Sequence, residues 1–157
     1  DLTALTFMMR LDKRIVYTKE WKRYCGISDE EMATFYNACD VYLNLSQGGG
    51  FELPIIEAAA CGVPSIATDF TAMPELVRGH GWTIPITDFA PITPLMSYQA
   101  LPNVMKAKEA LNEAYRNPDL REKYGQLSYL FAQAYDYDKL VREKWVPLIE
   151  EVASNPI

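Results

Sequence analysis

At 157 residues, with 49% hydrophobic and 23% charged side chains, the chain is long enough for one domain with a real core and has an ordinary globular balance. Fifteen Lys and Arg against 21 Asp and Glu leave a net charge of −6, with the signs mixed along the chain. That excludes the basic face of a nucleic-acid binder, while a phosphorylated small molecule remains possible wherever backbone N–H groups do the binding.

The chain opens on Asp1 and goes straight into the apolar pattern Leu2, Leu5, Met8, Met9, which predicts a helix over residues 1–10 with Asp1 as its cap. Such a start reads as the middle of a domain, truncated at its N-terminus. Ile15 to Thr18 is a short β-type run, followed by a polar, aromatic connector to Gly26. Ser28-Asp-Glu-Glu31 is a capping box opening a helix to about Ala38. Val41 to Leu45 reads as a strand, and Ser46 to Glu52 as a loop holding three consecutive glycines. Pro54 opens a helix that Gly62 ends. Pro64 to Thr68 is a short buried strand, Pro74 and Glu75 open a brief helix, and Trp82 to Ile84 is another strand closed by Pro85. Residues 86–100 read as proline-rich and irregular. Three helices follow, over about 103–116, 118–134 and 136–152.

Short apolar strands alternating with helices predict a parallel sheet covered on both faces, hence an α/β fold. Such sheets bind ligands at the carboxyl ends of their strands, and the glycine loop stands at one of those ends. In Ser46-Gln-Gly-Gly-Gly-Phe-Glu-Leu-Pro-Ile-Ile-Glu57 a strand stops, glycines turn the chain and a helix begins. The first N–H groups of that helix have no internal partner, and with the helix dipole they suit an anion such as phosphate. Ser46 can add a hydroxyl, and Glu57, about one turn in, can reach a sugar hydroxyl on the same ligand. Taken alone, the glycines fit a flexible turn equally well. They form neither a phosphate-binding loop ending in Gly-Lys-Ser/Thr nor a Gly-x-Gly-x-x-Gly fingerprint.

Several motifs in order carry a family resemblance. Gly50-Phe51-x-Leu53-Pro54-x-x-Glu57-Ala58-x-Ala60-Cys61-Gly62-x-Pro64, then Ala67-Thr68-Asp69 and Met73-Pro74-Glu75-Leu76-Val77, resemble the donor-binding signature of family-4 retaining glycosyltransferases with the GT-B fold. Phe35 to Asp40, Asn117-Pro118, Leu120 to Gly125 and Tyr135 to Asp138 fit the same pattern, so that the likeness covers roughly residues 15–152. The resemblance implies a Rossmann-like parallel-sheet lobe of a GT-B fold with C-terminal helices: a partial C-terminal nucleotide-sugar-binding domain over 1–157, with an α/β part over 1–100 and helices over 101–157. It implies sugar transfer from a nucleotide diphosphate, retention, no essential metal and no cofactor beyond the nucleotide-sugar donor. The partner it implies is an N-terminal acceptor-binding lobe, which lies outside this sequence. The chain alone is then expected not to turn over. A non-catalytic nucleotide-sugar-binding module is the alternative reading.

By the same resemblance Glu57 binds the nucleotide ribose, and the backbone of Gly50, Phe51, Glu52 and Leu53 meets sugar or phosphate; Ser46, Gly48 and Gly49 complete the donor loop. The family pattern has a first glutamate at position 49, where this chain has Gly49, and a glycine at position 52, where it has Glu52. Glu52 is therefore the candidate catalytic carboxylate, relocated by three residues, and its charge should point toward sugar hydroxyls or solvent rather than the diphosphate.

Other residues carry blander expectations. No apolar run reaches the roughly 18 residues of a membrane span and no signal peptide is visible, so membrane association is not evident. Of three cysteines, Cys39 and Cys61 sit among apolar or small residues and are expected as buried free thiols in a reducing cytoplasm. Arg10, Lys13 and Arg14 read as a solvated face, His80 as a loop residue and Asp69 as a cap for the next turn. Trp21 and Tyr24 can stack on a base or simply pack. Leu127, Leu130, Phe131 and Ala134 recur at helical spacing as a core stripe.

Overall fold

The computed structural model describes residues 2–11, 13–16, 26–92 and 97–155. They fall into two compact units, Asp1–Met32 and Ala33–Ile157. In the first, helix α1 spans Leu2–Met8. Arg10, Lys13 and Arg14 are exposed. Helix α2, Asp29–Asn37, begins with the predicted capping box: Glu31 N donates to Ser28 Oγ at 3.3 Å, and Ser28 N to Glu31 Oε2 at 3.4 Å. Ile15 and Val16 lie outside any strand. Asp1, Tyr17, Thr18, Trp21, Tyr24 and Cys25 lie outside the described residues.

The second unit is built on three parallel strands in sequential order: β1 (Tyr42–Asn44), β2 (Ser65–Thr68) and β3 (Trp82–Ile84). Their register pairs Leu43 with Ile66 and Ala67 with Thr83. Helix α3 (Leu53–Ala60) connects β1 to β2, and α4 (Met73–Val77) connects β2 to β3. Pro54 sits in the first turn of α3, where no N–H is needed, and Gly62 takes φ 73° just beyond its end, a conformation that costs glycine little.

All four residues of β2 are buried, and alternation sends Ile66 and Ala67 to opposite faces. On one face Ala67 joins Ile55, Ile56, Met73, Leu76 and Val77, with Phe131 and Tyr135 packed against them. On the other, Ile66 joins Trp82, Ile84, Ala107, Ala110 and Ala114. Each fully buried large apolar side chain here contributes about 1.5–3 kcal/mol. Helix α5 (Val104–Arg116) is capped by Asn103, whose side chain accepts from Lys106 N at 3.0 Å. Its Glu113 accepts from Trp82 Nε1 at 2.9 Å. Helix α6 (Pro118–Ala132) is followed by a 3-10 turn, α7 (Tyr137–Leu140), a π turn and α8 (Val146–Ser154).

Several expectations are corrected. The described residues of the stretch expected to be irregular, 86–92 and 97–100, are strands: β4 (Ile86–Ile92) and β5 (Ser97–Pro102) form an antiparallel ribbon, with Phe89 opposite Ala100. A two-stranded ribbon has outward edges on both strands, so Pro91 and Pro102 need break no ladder bond. The buried face of α6 is Gly125, Ser128 and Ala132; Leu127, Leu130 and Ala134 are exposed, and of the predicted stripe Phe131 packs on the core. A Cβ at Gly125 would meet the Gly62 carbonyl, so α6 approaches α3 too closely for large side chains. Cys39 is exposed and Cys61 half-buried, since both fall at helix ends. Asp69 pairs with Arg78 at 2.7 Å instead of capping.

Candidate donor site

The loop between β1 and α3 is tethered to the end of β1, to the segment just after β2 and to the ribbon that follows β3. From the end of β1, Asn44 Oδ1 accepts from Ser46 N at 2.9 Å. From beyond β2, Thr71 Oγ1 accepts from Gly49 N at 3.1 Å while donating to the Phe70 carbonyl at 2.7 Å. From beyond β3, Ala100 N in the ribbon donates to the Gln47 carbonyl at 2.9 Å. Within the loop, Ser46 Oγ donates to the Gly48 carbonyl at 3.2 Å. The loop is therefore a braced segment at the carboxyl ends of a parallel sheet, not a slack turn.

Glu52 and Glu57 flank the start of α3, five residues apart. Glu57 is exposed in the helix, and its Oε2 accepts from the Tyr36 hydroxyl at 2.9 Å. Tyr36 comes from α2 and is buried. Burial, the hydrogen bond to Glu57 and the Glu57 charge push its phenol well above the usual value, so it stays a neutral donor. Burial, then the charges of Glu52 and Glu57, push Tyr42 up as well, which places both carboxylates within electrostatic reach of one ring. Burial and the Glu57 charge raise the Cys61 thiol.

Glu52 is held differently. It is the residue before α3, with φ 67° and ψ 61°, and its side chain makes no cap bond to the helix. Instead its Oε2 accepts from Asn44 Nδ2 at 2.9 Å. A Cβ at Gly49 would meet the Glu52 carboxylate, with Cδ at 2.7 Å. The carboxylate thus lies where a side chain at position 49 would emerge. A non-glycine residue in the left-handed region costs on the order of 1 kcal/mol, more for a β-branched one. Three described non-glycine residues adopt positive φ, and two of them, Glu52 and Thr71 (φ 53°), brace this loop. Strain of this kind persists where surrounding contacts enforce it and clusters at functional sites.

The predicted residues Ser46, Gly48, Gly49, Gly50, Phe51, Glu52 and Leu53 form one continuous turn, with Glu57 on the helix it feeds. Phe51 and Leu53 are exposed, and the Phe51 ring lies 5.6 Å from that of Tyr135. His80 lies in the loop after α4, as expected, but is packed inward. It is buried, stacks 4.4 Å from Phe131, and places Nδ1 3.3 Å from Ser128 Oγ, whose own proton goes to the His80 carbonyl at 2.9 Å. Burial lowers its pKa. Sequence reading missed Asn44 and Tyr36. The available signal for Asn44 was an amide inside an otherwise β-favouring Val-Tyr-Leu-Asn-Leu run. Among the described residues no cluster of three or more His, Cys, Asp or Glu could hold a metal, and no helix is long and apolar enough to cross a membrane.

Comparison with known proteins adds to this geometry. A family model described as "Glycosyl transferases group 1" matches residues 7–93. The chain is 40% identical over 62 residues to the O-antigen chain mannosyltransferase B of Escherichia coli, a match covering 39% of this chain and 16% of that protein. It is 41% identical over 56 residues to the MMP alpha-(1->4)-mannosyltransferase of Mycolicibacterium hassiacum, covering 36% and 14%. The chain thus matches less than a fifth of the length of these relatives. Among solved structures, the sucrose-phosphate synthase of Thermosynechococcus elongatus superposes with a TM-score of 0.75 at 20% identity, over 98% of this chain and 34% of that one. The fold is that of a Rossmann-like parallel-sheet lobe of the GT-B kind.

Proposed function

The chain belongs to the group 1 glycosyl transferases, and from that premise we propose that it is the donor-binding lobe of an enzyme that moves a sugar from a nucleotide diphosphate to an acceptor held by a second lobe. The reading rests above all on one observation: two carboxylates, Glu52 and Glu57, are fixed on either side of the uncapped start of α3. In this reading the backbone N–H groups of Gly50 to Leu53 and the helix dipole face the diphosphate and stabilise its charge as it leaves. Glu57 takes a ribose hydroxyl. Glu52, a carboxylate beside an anion, is engaged with donor-sugar hydroxyls, where its charge is favourable as positive charge develops on the sugar ring. The reaction proceeds with retention and without an essential metal, and the free thiols of Cys39 and Cys61 suit a reducing cytoplasm. The two relatives named as mannosyltransferases make a mannosyl group the first donor to test.

Gly49 favours the alternative, a binding module without chemistry, because the family carboxylate is absent there. The Glu52 carboxylate filling that space favours catalysis. Titration with GDP, UDP and ADP, and with GDP-mannose and UDP-glucose, tests the site. The expected outcome is micromolar to millimolar binding of one diphosphate, weakened by Glu57→Ala; equal binding by that variant defeats the assignment. Product formation by the full-length protein separates enzyme from module.

A further inference from the structure

The group that aims Glu52 lies outside the glycine loop. Asn44 ends β1 and is nine-tenths buried, at 9% exposure. Its amide has a single orientation that serves both neighbours: Nδ2 donates to Glu52 Oε2, and Oδ1 accepts from Ser46 N, each at 2.9 Å. The reverse orientation would set a carbonyl against a carboxylate and an N–H against an N–H. Glu52 contributes a left-handed backbone that turns its side chain back across the loop, and Gly49 contributes open space where that carboxylate lands. A solvated glutamate needs none of these three devices, and together they fix one carboxylate in one place.

We infer that Asn44 is a positioning residue for sugar transfer: it locks the Glu52 carboxylate over Gly49, so that the acid acts from a fixed point at the end of the sheet. The inference rests on the reading of Glu52 as a donor-sugar contact given above. Without Asn44 the carboxylate is free to swing into solvent, and preorganisation is lost while the diphosphate contacts remain.

The two halves of the Asn44 amide can be tested apart. Asn44→Asp keeps the acceptor for Ser46 N–H, and so keeps the turn, but removes the donor to Glu52. Two carboxylates then face each other and titrate as a pair, holding one proton to a higher pH than either would alone. While that proton is bound, the new carboxyl donates to Glu52 as the amide does. In the full-length protein, with whichever of GDP-mannose, UDP-glucose and ADP-glucose it uses, kcat of Asn44→Asp is expected to fall at least about 10-fold at pH 8 and to recover to within about 3-fold near pH 5.5, relative to the unmodified protein at the same pH. The Kd of the matching diphosphate stays within about 2-fold. Asn44→Ala, which loses both bonds, shows a drop without recovery at low pH. Gly49→Ala approaches from the other side: its Cβ displaces the carboxylate with Asn44 intact, and kcat should fall about 10-fold, which keeps the test alive if the Asn44 variants misfold. Unchanged kcat in Asn44→Asp at pH 8, or in a folded Gly49→Ala, overturns the positioning role and leaves the site reading standing. Failure of the unmodified protein to bind GDP, UDP or ADP overturns the site reading, and this inference with it.

Discussion

Glu52 and Glu57 stand five residues apart on one continuous segment, yet they are placed by opposite means. Glu57 sits in ordinary helix, on a backbone its neighbours would hold whatever its side chain, and a neutral phenol from α2 steadies it. Glu52 sits in left-handed backbone, leans on a buried amide and occupies space that exists only because its neighbour lacks a Cβ. A helix places a side chain by periodicity, so its residues can change one at a time. A braced loop places one by mutual exclusion, so changes at positions 44, 49, 52 and 71 should be strongly non-additive.

The largest effect should come from the strained member of the pair. Glu52→Gln keeps the shape and an acceptor for Asn44 but removes the charge; transfer is expected to drop about 10²–10³-fold with Tm nearly unchanged, as read by product formation and thermal melting. Gly49→Glu, which restores the family pattern at that position, should cost about 10²-fold in transfer and about 1–3 kcal/mol in stability, because two side chains compete for one space. Adding Glu52→Gly should recover much of both losses, and a double variant no better than the single one would erase the contrast drawn here. Glu57→Ala should weaken diphosphate binding about 10- to 100-fold without a comparable loss of stability, measured by titration calorimetry. Tyr36→Phe should act least, about 2- to 10-fold on the same Kd. Because the Tyr36 phenol is raised above its unfolded value near 10, its bond to Glu57 is fully present below that pH and is lost only as pH rises through the higher folded-state value; the ratio of the Tyr36→Phe Kd to that of the unmodified protein should be flat from about pH 7 to 9.5.

Much of the scaffold was legible because its signals are local. The capping box at Ser28, the proline at position 54, the glycine at 62 and the apolar strands each declare themselves within a few residues, and the sheet follows from their alternation. The ribbon escaped because residues 86–100 read as proline-rich, although an unpaired edge tolerates a proline such as Pro91. The face of α6 escaped because hydropathy favours Leu127 and Leu130, whereas close approach to Gly62 selects Gly125, Ser128 and Ala132. At the site, Glu52 and Glu57 were visible from the motif. Asn44 and Tyr36 were not, since their partners lie 8 and 21 residues away and hydrogen bonds at such separations leave no periodic trace.

The bond from Ala100 to the Gln47 carbonyl ties the loop to a ribbon that belongs to no part of the glycine motif. Sequence drift in that ribbon can therefore shift the glycine loop while every residue of the motif stays the same. Homologues that share the motif but carry ribbons of different length hold the loop differently, and transplanting the motif into another member of the family would bring only part of the apparatus. The heritable unit of this site is the loop together with the ribbon that holds it.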